Sequence, residues 1–444
     1  MDIIGLIPSF GNFLFTVGAF VIALLIIVAV HEYGHYIVGR WSGIDAEVFS
    51  LGMGPVLFSR TDRRGTRWQI AALPVGGYVR FRGDSSAASG RDGAALEAMT
   101  PAERRRSMHG APLWARAVTV AAGPLFNFAL SILIFGAIIG WRGVPADPLT
   151  IAELRAVPYA QSLRAGDEIL AIEGRPTPPL EEFPAFVETL PPRNDLGYLV
   201  RRDGTETPAL GAHPYPPLVL GLSPGSAALE AGLARGDVIL SVDGEPVATF
   251  AELREIVGGS KGRALRLGVW RGGEEIEVTL RPKRVDLPLP EGGFETRWLI
   301  GITGGMLFEP RTERPGPFEA LGYGLDQTWY IMRASVSGLY HVVIGAISSC
   351  NLRGPVGIAQ TSGQAASQGL LSFVWFIAVL STAVGFLNLF PIPVLDGGHL
   401  MFHAYEALRG RPPGDGAMRL MMAFGLAVIL ALMLFALSND LRCP

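Results

Sequence analysis

Four long apolar segments dominate the pattern of hydrophobic and polar positions along the chain. Each is long enough, at about 1.5 Å of rise per residue, to cross a hydrocarbon core of roughly 30 Å as a helix. The segments cover residues 13–38, 117–140, 370–390 and 417–437, and the second contains no charged side chain. This pattern predicts a multi-pass α-helical membrane protein with four transmembrane helices.

A repeat lies between the second and third apolar segments. Residues 165–176 (AGDEILAIEGRP) recur at 235–246 (RGDVILSVDGEP), and each copy predicts a turn, a short strand and a hairpin closed by glycine. The second copy follows the stretch GLSPGSAA at 221–228. This looks like a PDZ domain, so we expect two PDZ-like α+β domains, at 145–213 and 214–284. Their grooves would bind peptide ends at a sheet edge; a rigid spacer is the alternative interpretation.

The distribution of charge predicts the orientation of the chain. Twelve arginines and seven acidic residues lie from residue 40 to residue 116, and basic loops stay in the cytoplasm. Both termini and the PDZ-like domains would then be periplasmic in a bacterial inner membrane. The formal net charge is −3, which offers no footprint for nucleic acid. The lipid bilayer is therefore the expected environment, and nucleic acid is not an expected partner.

An H-E-x-x-H motif, HEYGH at 31–35, lies inside the first apolar segment. Residues i and i+4 share one face of a helix, so His31 and His35 would point to the same place. Ionisable groups at membrane depth are costly and usually functional. A catalytic zinc takes three protein ligands and leaves a position open for water, whose proton a carboxylate accepts. The motif predicts a hydrolytic zinc centre on the cytoplasmic side of the midplane, with Glu32 as general base.

The third ligand is expected from Asn388–His399, which spells NLFPIPVLDGGH at the end of the third apolar segment. Pro391 and Pro393 each lack a backbone N–H and break the helix. Irregular backbone at membrane depth must line a cavity or be buried in protein. Asp396 is therefore the predicted third ligand of one zinc ion. The alternatives are that Asp396 only caps a helix, or that His399, which we interpret as structural, is the ligand.

The two motifs together resemble the site-2 protease family of intramembrane zinc metalloproteases, most closely its bacterial members that carry tandem PDZ domains and regulate sigma factors. The resemblance implies that His31, His35 and Asp396 bind zinc, that Glu32 is the base and that Asn388 orients substrate. It also implies a metalloendopeptidase that cleaves transmembrane segments of single-span membrane proteins in regulated intramembrane proteolysis. The expected substrates are an anti-sigma factor already shortened by a first protease, and remnant signal peptides.

A helical substrate must be unwound before cleavage, and one segment is suited to hold it. Residues 66–82 alternate in polarity around a Pro-Val-Gly-Gly turn and predict a β-hairpin in the cytoplasmic loop. We interpret it as a re-entrant element, as family members are thought to use, whose free edge pairs with substrate through Trp68, Ile70 and Ala72. An ordinary cytoplasmic hairpin is the alternative.

The remaining segments complete the predicted organisation. Residues 285–369 would link the PDZ-like domains to the membrane through amphipathic interfacial helices. The other predicted segments are a first transmembrane region at 1–40, a cytoplasmic loop at 41–116, transmembrane regions at 117–141 and 370–399, a cytoplasmic loop at 400–416 and a last transmembrane region at 417–438. Cys350 and Cys443 would both face the oxidising side, as a disulfide or as free thiols.

Two other functions fit parts of this pattern. An ion transporter would use the same ligands as a transit site, and a membrane-anchored PDZ scaffold would carry a structural metal. Neither needs Glu32, so Glu32→Gln distinguishes both from a protease, which would lose activity while keeping its zinc.

Overall fold

The computed structural model describes residues 3–85, 93–223, 225–288 and 294–442. The chain divides into two compact units. The first comprises Met1–Ile138, Pro317–Tyr340 and Ser349–Pro444, and the second comprises Ile139–Gly316 and His341–Ser348.

The first unit begins with a long helix, a bent sheet and a second long helix. These elements are α1 (Ile3–Trp41), β1 (Ala46–Thr61), β2 (Arg67–Phe81), α2 (Gly93–Ala98), α3 (Pro101–Arg105) and α4 (Leu113–Arg142). Helices α1 and α4 approach closely at Gly34, where a Cβ would lie 2.6 Å from the carbonyl oxygen of Ala122. A glycine is needed here because any side chain would push the two helices apart.

The second unit is built mainly of short strands. Its elements are β3 (Val144–Pro145), β4 (Ile151–Leu154), β5 (Glu168–Ile172), β6 (Arg175–Pro176), α5 (Phe183–Val187), β7 (Leu196–Arg202), β8 (Thr205–Gly211), β9 (Gly221–Leu222), α6 (Ala227–Glu230), β10 (Val238–Val242), β11 (Glu245–Pro246), α7 (Phe250–Gly259), β12 (Leu265–Arg271), β13 (Glu274–Leu280), β14 (Lys283–Pro288), β15 (Phe294–Leu299), β16 (Ile302–Thr303), β17 (Phe308–Pro310) and β18 (Thr312–Glu313).

The predicted repeat forms two similar sheets in this unit. Their strand orders are β6-β5-β7-β8 and β11-β10-β12-β13, and each sheet has its own hydrophobic core. Asp167 and Asp237 hold equivalent positions just before β5 and β10. Each is fully buried and accepts two hydrogen bonds of 2.7 Å from one guanidinium group, that of Arg202 or Arg271. Both copies of the repeat therefore share an ion pair with a buried carboxylate as well as a strand pattern.

The segment after residue 284 differs from the prediction of a linker. Strand β16 pairs with β9, β17 with β4 and β18 with β3. Ile300 is buried in the core of the second sheet, while Leu307 and Phe308 are buried in the core of the first. The segment is folded because it supplies apolar side chains to both cores.

The chain then returns to the first unit as a series of helices. They are α8 (Pro317–Val343), a 3-10 turn (Ser349–Asn351), α9 (Pro355–Ser367), α10 (Leu370–Asn388), α11 (Asp396–Arg409) and α12 (Asp415–Arg442). Helix α8 packs on α4, where a Cβ at Gly136 would lie 2.9 Å from the carbonyl oxygen of Ala320. Helix α9 packs on α1, where a Cβ at Gly363 would lie 2.9 Å from Thr16 Cβ. Their predicted place at the membrane interface stays a prediction.

Four helices within the described residues are long and apolar enough to cross a membrane. They are Phe13–Trp41, Leu113–Arg142, Leu370–Asn388 and Gly416–Arg442. They agree with the four apolar segments of the sequence; the third helix ends at Asn388, so the rest of the predicted transmembrane region 370–399 forms the break and the start of α11. The break follows from Pro391 and Pro393, which cannot donate the hydrogen bonds that would continue α10.

β1 and β2 form a bent sheet and not a simple hairpin. Segment 48–51 pairs with 77–80 on one side and with 67–70 on the other, and 67–71 also pairs with 56–61. Since each strand bends, each contributes two paired segments to the sheet. The order of these segments is 56–61, 67–71, 48–51 and 77–81, so 56–61 and 77–81 are the outer edges. Gly52 and Gly54, with φ of 83° and 85°, lie in the bend of β1 and adopt a conformation that other residues rarely take.

This arrangement differs from the predicted free edge at Trp68, Ile70 and Ala72. Trp68 and Ile70 each have partners on both sides, and the residues that flank Ala72 are paired with β1. Their backbone groups lie in the middle of the sheet, so backbone pairing with a substrate would have to occur at another segment.

Candidate active site

The imidazoles of the H-E-x-x-H motif and the carboxylate of Asp396 converge. His31 Nε2 lies 3.1 Å from Asp396 Oδ2, and His35 Nε2 lies 3.5 Å from Asp396 Oδ1. The two Nε2 atoms are 3.1 Å apart. Among the described residues these three form a group whose ligand atoms all lie within 4.8 Å of one another. A shared metal ion fits this arrangement of nitrogen and oxygen donors, which zinc accepts.

The outer nitrogen of each imidazole is held by α4. His35 Nδ1 lies 2.9 Å from the carbonyl oxygen of Thr119, to which it must donate. His31 Nδ1 lies 3.2 Å from the amide group of Asn127, whose Oδ1 is buried and has no hydrogen-bond partner in the described part of the chain. With the amide turned by 180°, that oxygen accepts a proton from His31 Nδ1. Both Nε2 atoms then present lone pairs to the same point, an arrangement that a cation stabilises.

Gly123 makes room for this centre. A Cβ at this position of α4 would clash with His35 Nε2 and lie 2.7 Å from His31 Nε2. No real side chain fits there, so α4 approaches the imidazoles as closely as it does because residue 123 is glycine.

The broken segment after α10 delivers Asp396. Leu395 N–H bonds to the Ile392 carbonyl over the break, and Asp396 opens α11. A Cβ on Gly397 or Gly398 would clash with backbone carbonyl groups of the break. The Gly-Gly pair thus lets the start of α11 fold back on the break. The positive end of the α11 dipole also favours the carboxylate of Asp396.

One cavity of about 390 Å³ connects these groups with the sheet. Its lining includes all three candidate ligands, Glu32, Asn388, and Tyr78 and Val79 of β2. The backbone of β2 lies against α1, because a Cβ on Gly77 would lie 3.1 Å from Glu32 Cγ. The cavity also reaches the imidazoles of His109, His399 and His403. Its polar lining gives water hydrogen-bonding partners beside the candidate metal ligands.

The comparisons with known proteins agree with this site. The family model described as peptidase family M50 matches residues 19–432. The chain belongs to peptidase family M50, the site-2 proteases. It is 31% identical over 460 residues to the regulator of sigma-E protease of Escherichia coli (strain K12), covering 97% of this chain and 99% of that protein. The protein named regulator of sigma E protease from Salmonella typhimurium (strain LT2) is equally similar.

A relative from Rhizobium meliloti (strain 1021) is 39% identical over 433 residues, covering 97% of both chains, and its name marks it as a candidate zinc metalloprotease. The chain is accordingly a metalloendopeptidase of the site-2 protease type. The predicted family and enzyme class are confirmed. The roles of individual residues stay predictions.

The structure shows which predicted residues meet and adds others. His399 lines the cavity but is outside the group of three candidate ligands. The lone amide of Asn127, in the run Gly123-Pro124-Leu125-Phe126-Asn127, predicts a hydrogen bond to a neighbouring helix near the site, and the structure shows this contact with His31. Thr119 and Gly123 were not identified from the sequence. Cys443 lies outside the described residues, so its pairing with Cys350 stays a prediction.

Proposed function

We propose that this protein is an intramembrane zinc protease that cleaves single-span membrane proteins in regulated intramembrane proteolysis. The observation that carries the proposal is the convergence of His31, His35 and Asp396, two from a membrane-spanning helix and one from the break after another. Anti-sigma factors shortened by a first protease and remnant signal peptides are the substrates we expect. We place both termini and the second unit in the periplasm, on the positive-inside argument.

His31, His35 and Asp396 would hold one zinc ion, which when bound polarises a carbonyl and lowers the pKa of a bound water. Thr119 and Asn127 fix the orientation of the imidazoles through their Nδ1 atoms. Glu32 faces the same cavity and accepts the proton of the attacking water, then gives it to the leaving amine. Asn388 lies on the same cavity, where its amide is suited to orient a substrate carbonyl.

Glu32→Gln tests the catalytic assignment. The variant keeps the size of the side chain but removes its basicity, so cleavage of a co-expressed, tagged single-span protein should be lost while bound zinc is retained. Glu97→Gln, at an exposed position of α2, is the matched control and should cleave normally. Persistent cleavage by Glu32→Gln, with normal zinc content, would contradict the role of Glu32.

We propose that the substrate is held in extended form along segment 77–81. This edge of the sheet has β1 on one side and the active-site cavity on the other, where Tyr78 and Val79 line it. An added strand would receive backbone hydrogen bonds from this edge and present its carbonyl groups beside Glu32. The predicted strand addition is thus retained, with a different segment of the sheet as the binding edge.

Cysteine cross-linking distinguishes a bound strand from a bound helix. Tyr78→Cys in a Glu32→Gln background should cross-link to single cysteines at every second substrate position, because side chains alternate along a strand. A bound helix would give a spacing of three or four residues. Ser59→Cys, at the opposite and exposed edge of the sheet, is the control and should not follow either pattern. A helical spacing at Tyr78→Cys would refute strand addition.

We propose that the second unit is a pair of PDZ-like domains that admits only shortened substrates. The chain enters and leaves this unit at adjacent points, since Val144 pairs with Glu313 and Pro145 with Thr312. Replacing residues 146–311 by a short glycine linker should therefore leave the first unit intact and allow full-length substrate to be cleaved. Unchanged rejection of full-length substrate by this variant would show that the second unit is not the filter.

A further inference from the structure

The sheet of β1 and β2 extends along α1 from the active site to the end of the helix. Gly77 contacts Glu32 and Val28, and Glu32 lies nine residues before the end of α1 at Trp41, roughly 14 Å along the axis. At the other end of the sheet, the turn between β1 and β2 contacts the last turns of α1 through a 3.1 Å hydrogen bond from Arg40 to Thr66. Since α1 crosses the membrane, the turn lies at the level where that helix leaves it.

The outer edge of the sheet formed by β1 is apolar near the active site, towards the interior of the bilayer, and basic near this turn. Met53, Val56, Leu57 and Phe58 are 46%, 46%, 70% and 64% exposed. Such a run of apolar side chains on a sheet edge is suited to lipid chains rather than to water. The residues that follow towards the turn are basic: Arg60, Arg63, Arg64 and Arg67, all exposed.

One acidic residue, Asp62, lies in this turn among the four arginines, and groups of the turn engage its carboxylate. Asp62 accepts hydrogen bonds at its carboxylate from the backbone N–H of Arg64 and Thr66, at 2.8 and 3.0 Å, and from Trp68 Nε1 at 3.1 Å. Its oxygens are thus used within the turn. Among the described residues, no ion pair engages the guanidinium groups of the four arginines.

A small concavity lies at this position. It has a volume of about 250 Å³ and is lined by Arg60, Thr61, Asp62, Arg63 and Trp68. The Asp62 carboxylate accepts hydrogen bonds from the turn, including that of the Trp68 indole, and two guanidinium groups and a hydroxyl remain. They match the chemistry of a phosphodiester at the membrane interface, where arginine binds phosphate oxygens and tryptophan prefers the headgroup level.

We propose that this concavity binds the headgroup of an anionic phospholipid and that the turn between β1 and β2 thereby anchors the sheet of β1 and β2 to the membrane surface. Three observations support this partner: the apolar edge that continues from the site towards the bilayer interior, the unpaired positive charge, and the contact of the turn with the end of a membrane-spanning helix. The proposal needs α1 to cross the bilayer but does not depend on the catalytic roles proposed above.

Native mass spectrometry of the purified full-length chain tests the proposal. The protein in dodecyl maltoside is titrated with phosphatidylglycerol or phosphatidylcholine, and bound lipid is counted. Wild type should bind phosphatidylglycerol more tightly. Arg60→Gln with Arg63→Gln should weaken phosphatidylglycerol binding by roughly 25-fold, at about fivefold for each arginine, and should leave phosphatidylcholine binding unchanged. Arg60→Lys with Arg63→Lys keeps the charge and should recover most of the affinity.

The matched control is Arg104→Gln with Arg105→Gln, which makes the same change of charge at exposed positions of α3. Equal loss of phosphatidylglycerol in this control would show that only bulk charge matters and would overturn the proposal. Equal retention by wild type and the Arg60/Arg63 double variant would also overturn it. Competition by millimolar inorganic phosphate would identify a free-anion site instead of a lipid site. Unchanged zinc content and melting temperature verify that each variant is folded.

Discussion

Gly123→Ala should destroy the metal centre without unfolding its helix. The added methyl would lie 2.7 Å from His31 Nε2 and closer still to His35 Nε2, whereas a carbon atom normally keeps about 3.5 Å from other atoms. The imidazole of His31 would have to move by about 0.8 Å and that of His35 by about 1.2 Å, whereas metal–ligand distances vary by only about 0.2 Å. Changes to groups that merely support ligands cost about 10- to 100-fold in metal affinity. We therefore expect a loss of zinc affinity of at least about 100-fold.

The measurement is zinc content after equilibration against a series of chelator buffers, with circular dichroism to follow the helices. Alanine favours a helix over glycine by about 1 kcal/mol, so α4 itself should not be weakened. Gly18→Ala is the matched control, because the space around Gly18 in α1 is open; its zinc affinity should equal that of wild type. Equal zinc affinity in Gly123→Ala and Gly18→Ala would refute the assignment of the centre to these imidazoles.

Two further predictions concern the second unit. Arg202→Met leaves the buried carboxylate of Asp167 without its cation and should reduce the unfolding free energy of β5–β8 by about 3 kcal/mol. Hydrogen exchange should then be faster in β5–β8 but not in β10–β13, and Arg271→Met should give the converse pattern. Equally faster exchange in both sheets would contradict independent cores. Burial lowers the pKa of His213 below its ordinary value, so the unfolded chain takes up the proton first as pH falls. Stability of this unit should be complete above about pH 6.5 and decline below it. His213→Asn should flatten the change in hydrogen exchange between pH 7.5 and 5.5; the same slope in both proteins would exclude His213 as the cause.

The sequence was sufficient to predict features set by local spacing. The separation of His31 and His35 by one helical turn, and the helix break caused by Pro391 and Pro393, each follow from neighbouring residues alone. Asp396 was predicted because it follows this break, and irregular backbone at membrane depth must line a cavity or be buried in protein. The boundaries of α10 and α11 depend on the same prolines, yet the exact end at Asn388 required the structure.

Features that depend on contacts between distant segments were not predicted in this way. The pattern of residues 66–82 indicates strands, but the bend of β1 at Gly52 and Gly54 puts Trp68 and Ile70 inside the sheet. Similarly, the proline- and glycine-rich composition after residue 284 suggests a linker, because short strands that pair with distant partners have little pattern of their own. At 66–82 the local sequence is compatible with a simple hairpin or a bent sheet, and after residue 284 with a linker or paired strands. In both places the burial of apolar side chains against distant segments decides between the two structures.

The same distinction explains why the residues that support the candidate metal centre were harder to predict than its candidate ligands. Ser381 Oγ on α10 donates to the Asn127 carbonyl at 2.9 Å, and Ser131 Oγ on α4 donates to the Ala378 carbonyl at 2.8 Å. These hydroxyls join α4 to α10 beside the amide that orients His31. In an apolar segment a single serine has no spacing rule that reveals its partner, whereas two imidazoles four residues apart predict a shared target. The orientation of the imidazoles therefore depends partly on hydrogen bonds between α4 and α10. The partners of these serines can be identified only from the packed structure.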